Sequence, residues 1–167
     1  MVCRATLFDL ICSIRFATNS SLYFLEALLA LSIGEFKIFP KENDVILTSY
    51  FSLSEFKCPC KNLFCRSTLI HLPLVELLSN VRFHVDQPVI ITSAYRCAEH
   101  NMAVGGKPLS LHLLGAACDI IVASINPWDL GEICKTFGAR GIGIYEKHVH
   151  VDLSTERLWQ GTSSPSN

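Results

Sequence analysis

The chain contains no run of Lys and Arg interleaved with aromatic side chains, the arrangement by which a groove would follow a phosphate backbone. With 14 basic against 15 acidic residues its formal charge is -1, so nucleic acid is not an expected partner. It also lacks an apolar run of the roughly 20 residues that a bilayer-spanning helix needs. The best candidate, SLYFLEALLALSIG at residues 21–34, is only 14 residues long and encloses Glu26, a carboxylate that hydrocarbon would penalise. No transmembrane span is expected. Arg4 and Arg15 precede that run as in a signal-like segment, but no small-x-small cleavage site follows it. Internal repeats and low-complexity tracts are missing as well, up to the short polar stretch GTSSPSN.

What is present suits one domain: 167 residues can bury a real core without disulfides. A monomer is expected. The anticipated organisation is an apolar segment over residues 1–47, ending in the turn-rich linker PKENDV, then a domain over 48–160 and a polar tail over 161–167. Within the domain, HLPLVELLSNVRFHV places apolar residues at helical spacing. PVIITSAY reads as a strand, and AEHNMAVGG as a short helix closed by Gly105 and Gly106. PLSLHLLGAACDIIV runs from a loop into a second strand, and Asn126 with Pro127 starts a helix over NPWDLGEICKTFG. GIGIY and HVHVDL form two strands joined by a turn. The expected class is α+β, a small and mainly antiparallel sheet with packed helices.

The stretch KHVHVDLS raises the chemical question. Side chains alternate along a strand, so Val149, Val151 and Leu153 can enter a core while His148, His150 and Asp152 share the other face. That face can be merely solvated, or it can hold a metal. Further upstream, His112 and Asp119 stand seven residues apart across a turn at Gly115, so they converge through a loop and not as a helical pair. Asp119 sits among Ala117, Cys118, Ile120 and Ile121, where a carboxylate needs a partner: Arg96, a backbone turn or a bound cation. Taken together, His112, Asp119 and His150 supply two imidazoles and one carboxylate, the mixed N/O set of a zinc site with an open fourth position.

The order ITSAYRCAEHN, GG, SLHLLGAACD, HVHVD resembles the zinc D-Ala-D-Ala carboxypeptidases and related peptidoglycan peptidases, a superfamily that shares its fold with hedgehog signalling domains. The resemblance covers about residues 48–160, with FSLSEFKC near its start. The signature S-x-H-x-x-G-x-A-x-D is met by Ser110, His112, Gly115, Ala117 and Asp119. It implies that His112, Asp119 and His150 ligate one catalytic zinc, that His148 lies beside the activated water, and that Arg96 binds substrate or stabilises the oxyanion. Some relatives carry a Glu three residues before the last ligand, where this chain has Lys147. His148 is therefore read as the general base, with Glu146 the alternative. Ser110 and Tyr95 are read as substrate-side residues, Asn101 as fixing the helix that carries it, and Glu99 as a weaker candidate. The implied partner is a peptidoglycan peptide, cut by a carboxypeptidase or an endopeptidase, which would place the enzyme's work at a cell envelope or at host lysis. A non-catalytic zinc-binding recognition domain is the reading from another class.

Eight cysteines leave the compartment open. Cys58, Cys60 and Cys65 crowd into CPCKNLFC, and Cys97 would complete four thiolates if the fold brought it there. The spacing C-x-C-x4-C is not the usual paired C-x-x-C, so a second, structural zinc ranks below disulfides and free thiols. Cys118 and Cys134 are expected in the core.

Overall fold

The structure, a computed structural model, describes residues 35–161; the helix expected over 21–34 falls outside them. It is an α+β fold with two sheets. The small sheet pairs β1 (Phe36–Pro40) antiparallel with β2 (Ser67–His71). The larger sheet contains β3 (Ile90–Ser93), β4 (Ala117–Ile121), β5 (Gly141–Ile144), β6 (Val149–Asp152) and β7 (Arg157–Gln160) in the spatial order β3-β4-β6-β5-β7. Every pairing in it is antiparallel except β5 with β7, which is parallel. The strand β1 lies on the N-terminal side of the boundary expected at residue 48 and pairs across it with β2.

Three helices cover one side of the large sheet or bridge its strands: α1 (Leu72–Val85), α2 (Ala98–Ala103) and α3 (Pro127–Thr136). In α1 the buried residues Leu74, Val75, Leu77, Leu78 and Val81 recur at helical spacing, which gives the helix one apolar face to pack. It stops at Asp86, whose left-handed backbone (φ 51°) lets its N–H donate to the Arg82 carbonyl. In α3 the Asn126 side chain accepts from the Asp129 N–H, and Pro127 occupies the first turn, where a missing N–H costs nothing. The apolar faces of α1 and α3 meet Cys118 and Ile120 of β4, Ile142 and Ile144 of β5, and Val149 and Val151 of β6. Because alternate residues point to opposite faces, burying these leaves Asp119 and His150 on the other side of the same sheet.

Two glycines make that geometry available. Gly115 has φ +63°, and a Cβ there would meet the Leu69 carbonyl at 1.8 Å, so the turn from His112 into β4 needs a residue without a side chain. At Gly141 a Cβ would come within 2.1 Å of the Asp152 carboxylate, which therefore lies flat against the β5 backbone.

His71, at the end of β2, is 2 % exposed, stacks on Phe36 with centroids 4.6 Å apart, and has no hydrogen-bond partner at either ring nitrogen. Burial pushes its pKa down to about 4. The unfolded chain takes up a proton at this imidazole near pH 6.5, whereas the folded chain resists until about pH 4. Stability is thus lost as pH falls through that window, by about 3 kcal/mol for this group. Urea unfolding at pH 7 and pH 4 should show a loss smaller by about that amount in His71→Phe than in the wild type; equal losses in the two chains would contradict the assignment.

Candidate metal centre

Asp119 and His150 are directly opposite one another in the β4–β6 ladder, and residues so paired carry their side chains on one face, about 5 Å apart at Cβ. His112 reaches the same point from the single 3₁₀ turn Leu111–Leu114, which precedes β4 and is capped by the Ser110 hydroxyl accepting from the His112 N–H. The result is a triangle of ligand atoms. His112 Nε2 lies 3.2 Å from Asp119 Oδ1, His150 Nδ1 lies 3.0 Å from the same oxygen, and the two nitrogens are 3.2 Å apart. Donors about 2.0–2.1 Å from a common tetrahedral zinc would be separated by about 3.3 Å. The residues therefore fit a zinc ion.

The outer atoms of each imidazole fix which nitrogen faces inward. His112 Nδ1 is 2.7 Å from the Ala94 carbonyl, which can only accept, so Nδ1 carries the proton and Nε2 offers its lone pair to the triangle. His150 Nε2 is 3.3 Å from Asp152 Oδ2, which sets the opposite tautomer and aims Nδ1 inward. Asp152, fully buried, is itself held by the Ser154 N–H and hydroxyl and by Arg157 Nη2 at 2.5 Å. The alternation of KHVHVDLS puts Asp152 beside His150, but its role as the orienting carboxylate needs the ring direction.

Electrostatics agree with this picture. Burial disfavours ionised Asp119, yet hydrogen bonds and charge from His112 and His150 hold its carboxyl well below the usual carboxylate range. Burial lowers the His112 pKa despite Asp119, which favours the neutral imidazole that a metal requires. His150 is desolvated too, but the flanking Asp119 and Asp152 raise it. Asp119 also meets Arg96, whose Nη2 donates to Oδ2 at 2.5 Å while Nε donates to the Ser93 hydroxyl at 2.7 Å. Of the partners weighed for the carboxylate, Arg96 is present: one oxygen faces the guanidinium, the other the two imidazoles.

The triangle opens into a cavity of about 530 Å³, on whose lining lie Arg96, Ser110 and His148 together with Lys107, Tyr145 and Trp159. His148 stacks on Tyr145 with centroids 4.3 Å apart. Burial, with the nearby His150 and Arg96, lowers its pKa against the pull of Asp119. Glu146, in the β5–β6 turn, is not on that lining; it lines a neighbouring cavity of about 280 Å³, which His148 also lines. Tyr95 packs against Cys58, Cys65 and Cys97, away from the cavity lining. Asn101 is buried in α2 and donates to the Lys107 carbonyl at 2.9 Å, which ties down the cavity rim. Lys107, Tyr145 and Trp159 carried no signal in the sequence, since each reaches the cavity only through a loop or through the parallel β5–β7 pairing.

Comparison with known proteins accords with this geometry. The sequence model of the Peptidase M15 family matches residues 49–152. The chain belongs to that family, and with it to the zinc peptidases. No curated protein matches it.

Replacing Asp152 by Asn should weaken zinc binding about 10- to 100-fold, because the imidazole it orients loses its anionic acceptor. Competition with a chromogenic chelator would measure this, and an unchanged affinity would exclude the orienting role. Zinc affinity of the wild type should also fall as pH drops, since protonated imidazoles cannot ligate.

Proposed function

We propose that this M15 peptidase hydrolyses peptide bonds in peptidoglycan stem peptides, as a D-Ala-D-Ala carboxypeptidase, with His112, Asp119 and His150 holding its zinc. The observation that carries the reading is the triangle of ligand atoms opening onto a cavity whose rim carries Lys107 and two arginines, Arg96 and Arg157, each paired with a carboxylate, Asp119 and Asp152. Such a rim complements a free C-terminal carboxylate, which an internal stem-peptide bond would not present. Zinc, when bound, supplies Lewis-acid activation of the scissile carbonyl and of the attacking water near neutral pH.

The chain's own residues supply the remainder. His148, depressed toward the neutral form and facing the cavity, accepts the water's proton at a ring nitrogen and returns it to the leaving amine. Stacking on Tyr145 holds the ring in place for both transfers. Arg96 pairs with Asp119 and orients it, and its position on the cavity wall lets it face the developing oxyanion. Ser110 fixes the turn that carries His112. Glu146, on the lining of the other cavity, is the weaker candidate for the base.

The test is a mass-spectrometric digest of purified peptidoglycan, with zinc in one tube and a chelator in the other. Loss of one terminal D-Ala, only with zinc, is the expected result; fragments from an internal cut would make the chain an endopeptidase, and intact substrate would favour a recognition domain. On the cleaved substrate, His148→Gln should lower kcat by about 10²- to 10⁴-fold with zinc content unchanged. An unaltered kcat would remove His148 from the mechanism.

A further inference from the structure

Loop 57–66 connects the 3₁₀ turn Leu53–Phe56 to β2 without a helix or strand of its own. Its large apolar residues do not anchor it, since Leu63 and Phe64 are 82 % and 88 % exposed. Its only buried side chains are Cys58 and Cys65, and these point, with half-buried Cys60, at Cys97 just before α2. The four sulfurs all lie within 4.8 Å of one another.

The spacing is informative. Cys97 Sγ is 3.8 Å from Cys58 Sγ and 3.6 Å from Cys60 Sγ. Sulfurs at the corners of a tetrahedron about 2.3 Å from a central zinc are about 3.8 Å apart, whereas a disulfide brings its sulfurs to about 2.05 Å. None of the described cysteines is in a disulfide. Two neighbours suit a negatively charged sulfur cluster: the Cys97 N–H donates to Cys58 Sγ at 3.4 Å, and Lys41 Nζ lies 3.6 Å from Cys60 Sγ while donating to the Cys60 carbonyl at 2.7 Å.

We propose that Cys58, Cys60, Cys65 and Cys97 bind a second, structural zinc ion, which fastens loop 57–66 to the segment carrying Arg96. The site is closed, with four protein ligands and no position for substrate, and none of its cysteines lines the cavity of the His112–Asp119–His150 centre. An all-sulfur tetrahedral set favours zinc over harder divalent cations. Binding converts four thiols to thiolates and releases their protons to solvent. The consequence for the other centre is mechanical, because Cys97 follows Arg96 directly and Arg96 grips Asp119 Oδ2. The proposal does not depend on what peptide the enzyme cuts.

Elemental analysis of the full chain, purified with zinc and then dialysed, should find about two zinc ions per molecule, falling to about one in His112→Ala and to about one in Cys58→Ser/Cys60→Ser. X-ray absorption at the zinc edge gives a readout that does not need the cysteine variant to fold. In His112→Ala the remaining zinc should show four sulfurs at about 2.3 Å, and in the wild type the average should be about two sulfurs per zinc. A wild-type spectrum with only nitrogen and oxygen neighbours, or alkylation and mass analysis that finds these cysteines paired as disulfides, would overturn the proposal.

Discussion

A buried carboxylate at the centre of β4 is the constraint around which the rest of the molecule is arranged. Asp119 is 8 % exposed, and an ion so placed costs several kcal/mol unless its lone pairs are used. One oxygen is answered by Arg96 and the other by two imidazoles that crowd within hydrogen-bond range of the same point. Neither of two neutral imidazoles whose outer nitrogens carry the proton can donate to that oxygen. A divalent cation among the three ligand atoms would resolve the conflict, so the residues that make an awkward hydrogen-bond network would make an orderly zinc site.

The scaffold exists to hold that point still. The β4–β6 register sets Asp119 opposite His150, the turn at Gly115 brings His112 over them, and the packing of α1 and α3 beneath Cys118, Ile120, Val149 and Val151 prevents a slip by one residue that would exchange the faces. Around the ligands a second layer of contacts sets directions: the Ala94 carbonyl for His112, Asp152 for His150, Ser93 for Arg96. A third runs through Cys97, where the sulfur cluster meets the residue that grips Asp119.

Much of this was legible in the sequence because it is local. The helical spacing in HLPLVELLSNVRFHV, the Asn126-Pro127 start of α3 and the alternation of HVHVD each follow from a few adjacent residues, and the spacing from Ser110 to Asp119 carries the turn that joins two ligands. What escaped depends on distant partners. FKIFP and STLIH are strands because they pair with each other across a loop that contains the cysteines, and RLWQ is one because it lies parallel to β5. The two-residue period places His150 and Asp152 on one face but does not extend to Glu146, since the hairpin turn, closed by the Tyr145 N–H on the His148 carbonyl, interrupts it. The sulfur cluster was legible only in part for the same reason: Cys58, Cys60 and Cys65 stand close in sequence, but whether Cys97, 39 residues from the first, joins them depends on the fold.

The most direct test of the central claim is a crystal structure of the zinc-loaded chain with anomalous differences collected at the zinc edge. A peak inside the triangle, about 2.0–2.1 Å from His112 Nε2, Asp119 Oδ1 and His150 Nδ1, is the result expected. A structure from zinc-saturated crystals with no peak there, and with Asp119 satisfied by the two imidazoles and Arg96 alone, would contradict it.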